Sequence, residues 1–120
     1  GPDDDVTAAH PLVRESAITP GGIALELGLP ESLHWFRGHF PGQPILPGVV
    51  QLAWAAGFAH SHLHLAAAAR EVSALKFRRI IRPGASVRLE LDWTPAIGAL
   101  DFRYSEHGLA CSSGRIHLEP

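Results

Sequence analysis

Hydrophobic positions recur at every second residue over 22–29, where Ile23, Leu25, Leu27 and Leu29 alternate with small or polar neighbours. A period of two predicts a half-buried strand, and Pro30 ends it. The pattern returns over 86–94, where Val87, Leu89, Leu91 and Trp93 alternate with charged or polar residues. That is the mark of a sheet with one wet face. Residues 10–18 are compatible with a strand, and the Pro-Gly-Gly run inside 18–22 with the turn that follows it. Three more strands are expected over 71–81, 99–106 and 109–119. Turns built on Arg-Pro-Gly-Ala, Pro-Ala-Ile-Gly and His-Gly set them apart, and short turns favour antiparallel neighbours.

Between the two groups of strands the period changes. From Gly48 to about Ala69 there is no proline, Gly57 is the one internal helix-weakening residue, and alanine and leucine dominate. Val49, Val50, Leu52, Trp54 and Phe58 leave the first four turns without a clear polar face. Such a helix is expected to be buried on most sides. Two strands, a long helix and four strands therefore predict an α+β fold, an antiparallel sheet curled around one central helix. Residues 31–47 hold Pro41, Pro44 and Pro47 and read as an ordered irregular loop.

The chain has 120 residues, which predicts one domain. We place it at 10–120, with 1–9 as a protease-site remnant (Gly1-Pro2) followed by a frayed, aspartate- and alanine-rich lead-in. A formal charge of −2 offers no basic face of the kind that coats nucleic acid. No signal sequence and no membrane-spanning run is recognisable. Cys111 is the single cysteine, so no intramolecular disulfide can form, and a reducing cytoplasmic setting is expected.

The stretch GHFPGQPILPGV (38–49) resembles the signature of the FabA/FabZ-type 3-hydroxyacyl-[acyl-carrier-protein] dehydratases. KFRRIIRPGASV (76–87) resembles the family's strand after the helix, and the element order fits its hotdog fold along nearly the whole chain. Within the family, LHWFRGHFPGQPILPGVVQLAWA (33–55) is most similar to the small dehydratase-like proteins of aryl-polyene clusters. The resemblance implies that His39 is the base that removes the C2 proton of a 3-hydroxyacyl thioester, a task suited to an imidazole that titrates near neutrality. It implies that the Gly48 amide, at the helix N-terminus, donates to the thioester oxygen as charge develops there. Phe40, Pro41 and Pro47 belong to the substrate-binding loop, and the prolines stiffen it. Trp54 and Phe58 share a helix face, by default as core and otherwise as lining of an acyl tunnel. Gly48 is equally open to a reading as a tight-turn residue.

One position departs from the family. The Asp or Glu that protonates the leaving hydroxyl lies fourteen residues after the histidine, and here that position is Ala53. No carboxylate occurs between Glu31 and Glu71 to replace it. Four explanations fit this gap. His39 serves as both base and acid, directly or through a water. A related partner supplies the acid, since family sites lie at a dimer interface with histidine and acid from opposite subunits. The chain binds acyl groups without catalysis. Or the acid has been exchanged for alanine by engineering. The family implies an acyl carrier protein as partner, a homodimer or a heterodimer with a dehydratase paralogue, and no cofactor beyond the carrier's phosphopantetheine. A hotdog thioesterase ranks last, because that class needs a helix carboxylate to direct water.

The remaining features have plainer readings. Arg78, Arg79 and Arg82 form a basic cluster, either a solvated sheet edge or a dock for the acidic carrier and its phosphate. His60, His62 and His64 do not all share a helix face and lack a cysteine or carboxylate companion, so metal binding is not expected. Histidines near a helix C-terminus also suit its dipole. Cys111 reads as a small buried residue.

Overall fold

The period-two stripes of the sequence become cross-strand pairs. Ile23 faces Leu91, Leu25 faces Leu89 and Leu27 faces Val87 in one antiparallel ladder, and all six side chains are buried. The computed structural model describes residues 10–32, 45–65 and 69–119. In chain order the elements are β1 (Leu12–Thr19), β2 (Gly22–Gly28), α1 (Gly48–Leu63), β3 (Ala69–Phe77), β4 (Ser86–Thr94), β5 (Ala99–Glu106) and β6 (Leu109–Leu118). The strands form a single six-stranded sheet in the order β1-β2-β4-β5-β6-β3, with every neighbour antiparallel. Helix α1 lies against one face of it. Val50, Trp54, Ala55 and Ala59 of the helix join Leu25, Leu89, Leu100, Phe102 and Tyr104 of the sheet in one core. This is the expected α+β arrangement of an antiparallel sheet around one long helix.

The turns match their composition. His107 and Gly108 join β5 to β6 with φ of 52° and 79°, the backbone of a two-residue hairpin that follows the sheet twist. Pro95–Ile97 winds into a 3₁₀ turn that closes at Gly98, φ 61°. No helix among the described residues is long and apolar enough to cross a membrane.

Three expectations need correction. The helix ends at Leu63 rather than near Ala69. His64 adopts the left-handed conformation, φ 58° and ψ 37°, and the His60 Nδ1–H donates to the Leu65 carbonyl at 2.8 Å, just past the end. A side-chain donor thus serves a carbonyl that helix propagation would otherwise have served. Second, α1 is not buried on most sides. Val49 is 71% exposed, and Ala53, Gly57 and His60 continue the same open face. Small side chains make that face apolar without burying it. Third, the strand expected over 71–81 begins at Ala69 and stops at Phe77. It is an edge strand whose register slips between Ser73 and Lys76, where Ala74 sits at φ 53°. Such a bulge re-aims the residues after it, and here Phe77 is turned over the start of α1.

Candidate functional site

The start of α1 is built by its approach segment. Leu46 is buried in the core, and its N–H donates to the Ile81 carbonyl at 2.8 Å. Pro47 then caps the helix in an extended conformation, φ −61° and ψ 146°, with no capping side chain. The Val50 and Gln51 N–H groups return to the Pro47 carbonyl at 3.1 and 3.2 Å. That leaves the Gly48 amide ahead of the intrahelical ladder, where a helix presents its partial positive charge. No acidic side chain occupies this first turn to neutralise it.

Glycine at this position answers a close approach rather than a turn. Gly48 is not among the positive-φ glycines. A Cβ built on it would come within 2.5 Å of the Phe77 ring. Gly48 and Phe77 together line a cavity of about 270 Å³ that also takes in Ile45, Gln51, Arg78 and Arg79. Its lining combines apolar side chains, the start of a helix and two arginine residues. That combination suits a chain with an apolar body and a developing or permanent negative charge near one end.

The arginines gather at its mouth. Arg78 and Arg79 are exposed, and their backbone N–H groups both donate to the Cys111 carbonyl, at 2.8 and 3.1 Å. The two residues also line a neighbouring concavity with Ile80, Arg82 and Glu106. All three members of the basic cluster therefore face one region next to the Gly48 cavity.

Ala53 belongs elsewhere. Five positions separate it from Gly48, which at 3.6 residues per turn sets the two about 140° apart around the helix. Ala53 lines a second cavity of about 180 Å³ together with His10, Trp54, Gly57, Phe58 and Ser61. Trp54 is buried in the core while Phe58 is half-buried against it, so core packing and cavity lining are both satisfied. Among the described residues, Gly48 and Ala53 line two different cavities.

His39, Phe40 and Pro41 lie outside the described residues. Among the described residues no group of three histidine, cysteine, aspartate or glutamate side chains is placed to hold a metal. Cys111 is buried and free; burial pushes its thiol up, and the charge of Glu106 adds to that. A raised thiol is a poor nucleophile at neutral pH. Two residues of the Gly48 cavity are not evident from the sequence. Phe77 falls within an expected strand, and only the β3 bulge and the packing that follows it bring its ring over Gly48. Gln51 did carry a signal, as a lone amide within the apolar run Val49–Ala56.

Comparison with known proteins returns one family. A protein-family model described as "ApeI-like: ApeI dehydratase" matches residues 15–115. The 3-hydroxyacyl-[acyl-carrier-protein] dehydratase FabZ of Anaeromyxobacter sp. (strain K) is 33% identical over 95 residues, covering 71% of this chain and 59% of that protein. The FabZ dehydratase of Novosphingobium aromaticivorans is 42% identical over 69 residues, covering 50% of this chain and 44% of its own. The chain spans about half the length of the curated relatives it matches. Among solved structures, the dehydratase heterocomplex ApeI:P from Xenorhabdus doucetiae superposes with a TM-score of 0.87 at 31% identity, covering 92% of this chain and 99% of the other. An uncharacterised protein from Erwinia carotovora subsp. atroseptica does so with a TM-score of 0.85 at 33% identity, covering 92% and 97%.

Proposed function

The chain belongs to the ApeI-like dehydratase family and has its hotdog fold, and from that premise we propose that it removes water across C2–C3 of a 3-hydroxyacyl thioester held on an acyl carrier protein. His39 takes the C2 proton. The electron pair left behind delocalises onto the thioester oxygen, to which the Gly48 N–H donates a hydrogen bond. As the charge returns, the C2=C3 double bond forms and the C3–O bond breaks. The hydroxyl needs one proton to leave as water, and this chain has no helix carboxylate to give it. We assign that proton to an acidic side chain of a related partner subunit. The observation that carries this reading is the separation of Gly48 and Ala53 into two cavities of one chain, so that each cavity is half a site. The fold likeness to a dehydratase heterocomplex supports a heterodimer. A homodimer would bring Ala53 to both sites and an acid to neither. Autonomous dehydration, with His39 as both base and acid, is the competing reading.

The proposal needs no metal or organic cofactor beyond the carrier's phosphopantetheine. Phe40, Pro41, Pro47, Trp54 and Phe58 are assigned to the acyl path. The aryl-polyene setting rests on the motif followed by Trp54, and the cytoplasmic location on the lone, buried Cys111.

The deciding experiment incubates the protein with 3-hydroxyacyl carrier protein and follows loss of water by mass spectrometry, alone and with a paralogous dehydratase subunit. Dehydration only in the mixture is expected. Full activity alone would overturn the division of the site, and release of free acid instead would identify a thioesterase.

Arg78, Arg79 and Arg82 are assigned to docking of the carrier, whose acidic surface and phosphate they complement. Replacing all three by alanine is expected to raise KM for carrier-bound substrate about tenfold at low salt, with kcat nearly unchanged. Exposed charges act over roughly a Debye length of 8–10 Å, so the difference should shrink as salt rises. The same substrate on free pantetheine should barely register the change; a kcat loss instead would place the arginines in the chemistry.

A further inference from the structure

Gln51 is 3% exposed on the inner side of the first turns of α1, where its neighbours in the core are apolar. A buried amide costs free energy unless its hydrogen bonds are replaced, and among the described residues neither its nitrogen nor its oxygen is left without a partner. Its Nε2–H donates to the Leu46 carbonyl at 3.1 Å. Its Oε1 accepts from the Ser112 hydroxyl at 2.6 Å. Its own backbone carbonyl accepts from the Tyr104 hydroxyl at 2.7 Å. Leucine or methionine would fill the same space with no such requirement, so packing does not explain the glutamine.

The bonds have one direction in common. Leu46 is held at both backbone groups, its N–H by Ile81 and its carbonyl by Gln51. Pro47, next in the chain, has its φ fixed by its ring. The peptide that follows leads into Gly48, which lines the same cavity as Gln51. Ser112 and Tyr104, on β6 and β5, tie this assembly to the most heavily paired part of the sheet. The Tyr104 phenol is raised by burial and stays protonated, so its bond persists across the working pH range.

We propose that Gln51 is a positioning residue for the dehydration site: it clamps the Leu46–Pro47 strap to β6 so that the Gly48 amide keeps its aim at the thioester oxygen. This rests on the reaction proposed above. An oxyanion donor is effective only when its direction is set before the charge forms, and a displacement of about 1 Å costs on the order of 100-fold in rate.

The test uses butanoyl-pantetheine, which lacks the 3-hydroxyl and cannot be dehydrated. Isotope-edited infrared difference spectra read its thioester carbonyl, and calorimetry reads its Kd. The wild-type protein should lower the carbonyl frequency on binding. In Gln51→Leu the Kd should stay within about threefold while most of that shift is lost, and kcat of the partner-completed complex should fall about 10–100-fold at unchanged KM. Ser112→Ala removes one bond of the clamp and should show a smaller loss of the same kind; it decides the matter if Gln51→Leu does not fold. Gln51→Glu keeps the acceptor for Ser112 but donates to Leu46 only when protonated, so its kcat should recover as pH falls. A full carbonyl shift and full kcat in Gln51→Leu, or in Ser112→Ala where that variant decides, would overturn the positioning role. A wild-type protein that binds the probe without any shift would instead overturn the oxyanion role of Gly48, and the clamp with it.

Discussion

Replacing His39 by alanine is expected to lower the dehydration rate of the completed complex by about 10²–10⁴-fold, the usual worth of a positioned general base. The loss should fall on kcat. In the proposed reaction the imidazole meets the C2 proton only as the bond to it breaks, whereas the acyl chain and the carrier are assigned to other groups. Binding of butanoyl-pantetheine should therefore survive the substitution with a Kd within a fewfold of wild type. Single-turnover loss of water, followed by mass spectrometry on carrier-bound substrate, separates the two quantities. Unchanged turnover in His39→Ala would remove the histidine from the mechanism and leave the GHFPG segment as a structural motif. A parallel rise in Kd and fall in kcat would make it a binding residue. Exchange of the C2 proton with deuterated solvent offers a second view. It should be lost together with dehydration, because one base serves both.

The physical reasons for what could be read early are local. A period of two identifies β2 and β4 because burial on one face of a sheet imposes it, and the prolines up to Pro47, followed by a proline-free run from Gly48, identify the helix start because proline disrupts a helix interior. The end of α1 was misjudged because alanine propensity is local while the stop is not. It depends on His64 entering the left-handed region and on His60 reaching over the end to Leu65. β3 lacks a readable alternation because it is an edge strand with a bulge. The motif places Gly48 at the start of α1, but the reason for glycine, the ring of Phe77 above it, comes from a residue twenty-nine positions later. The partners of Gln51 are equally remote, with Ser112 sixty-one residues away. Contacts between distant strands leave no local pattern to read.

Ala53 is where the sequence and the structure together predict the largest gain. Restoring a carboxyl there, as Ala53→Glu or Ala53→Asp, is expected to confer dehydration on the protein without any paralogue, at a rate about 10²–10⁴-fold above the unmodified chain. The site can accept the change. Ala53 is exposed on the open face of α1, glutamate is close to alanine in helix propensity, and Gly57 one turn on adds no bulk. A proton donor works only while it holds its proton. The gained activity should accordingly be greatest on the acid side and fade as pH rises through the new group's pKa. The gain must also depend on the histidine. Combined with His39→Ala, the added carboxyl should contribute nothing, since a proton donor for the leaving hydroxyl has no work until C2 is deprotonated. Non-additivity of that size separates a restored general acid from a change in fold or affinity. If Ala53→Glu and Ala53→Asp both fold, form homodimers and remain inactive, the second cavity is not the other half of the site, and a partner must supply more than one carboxyl.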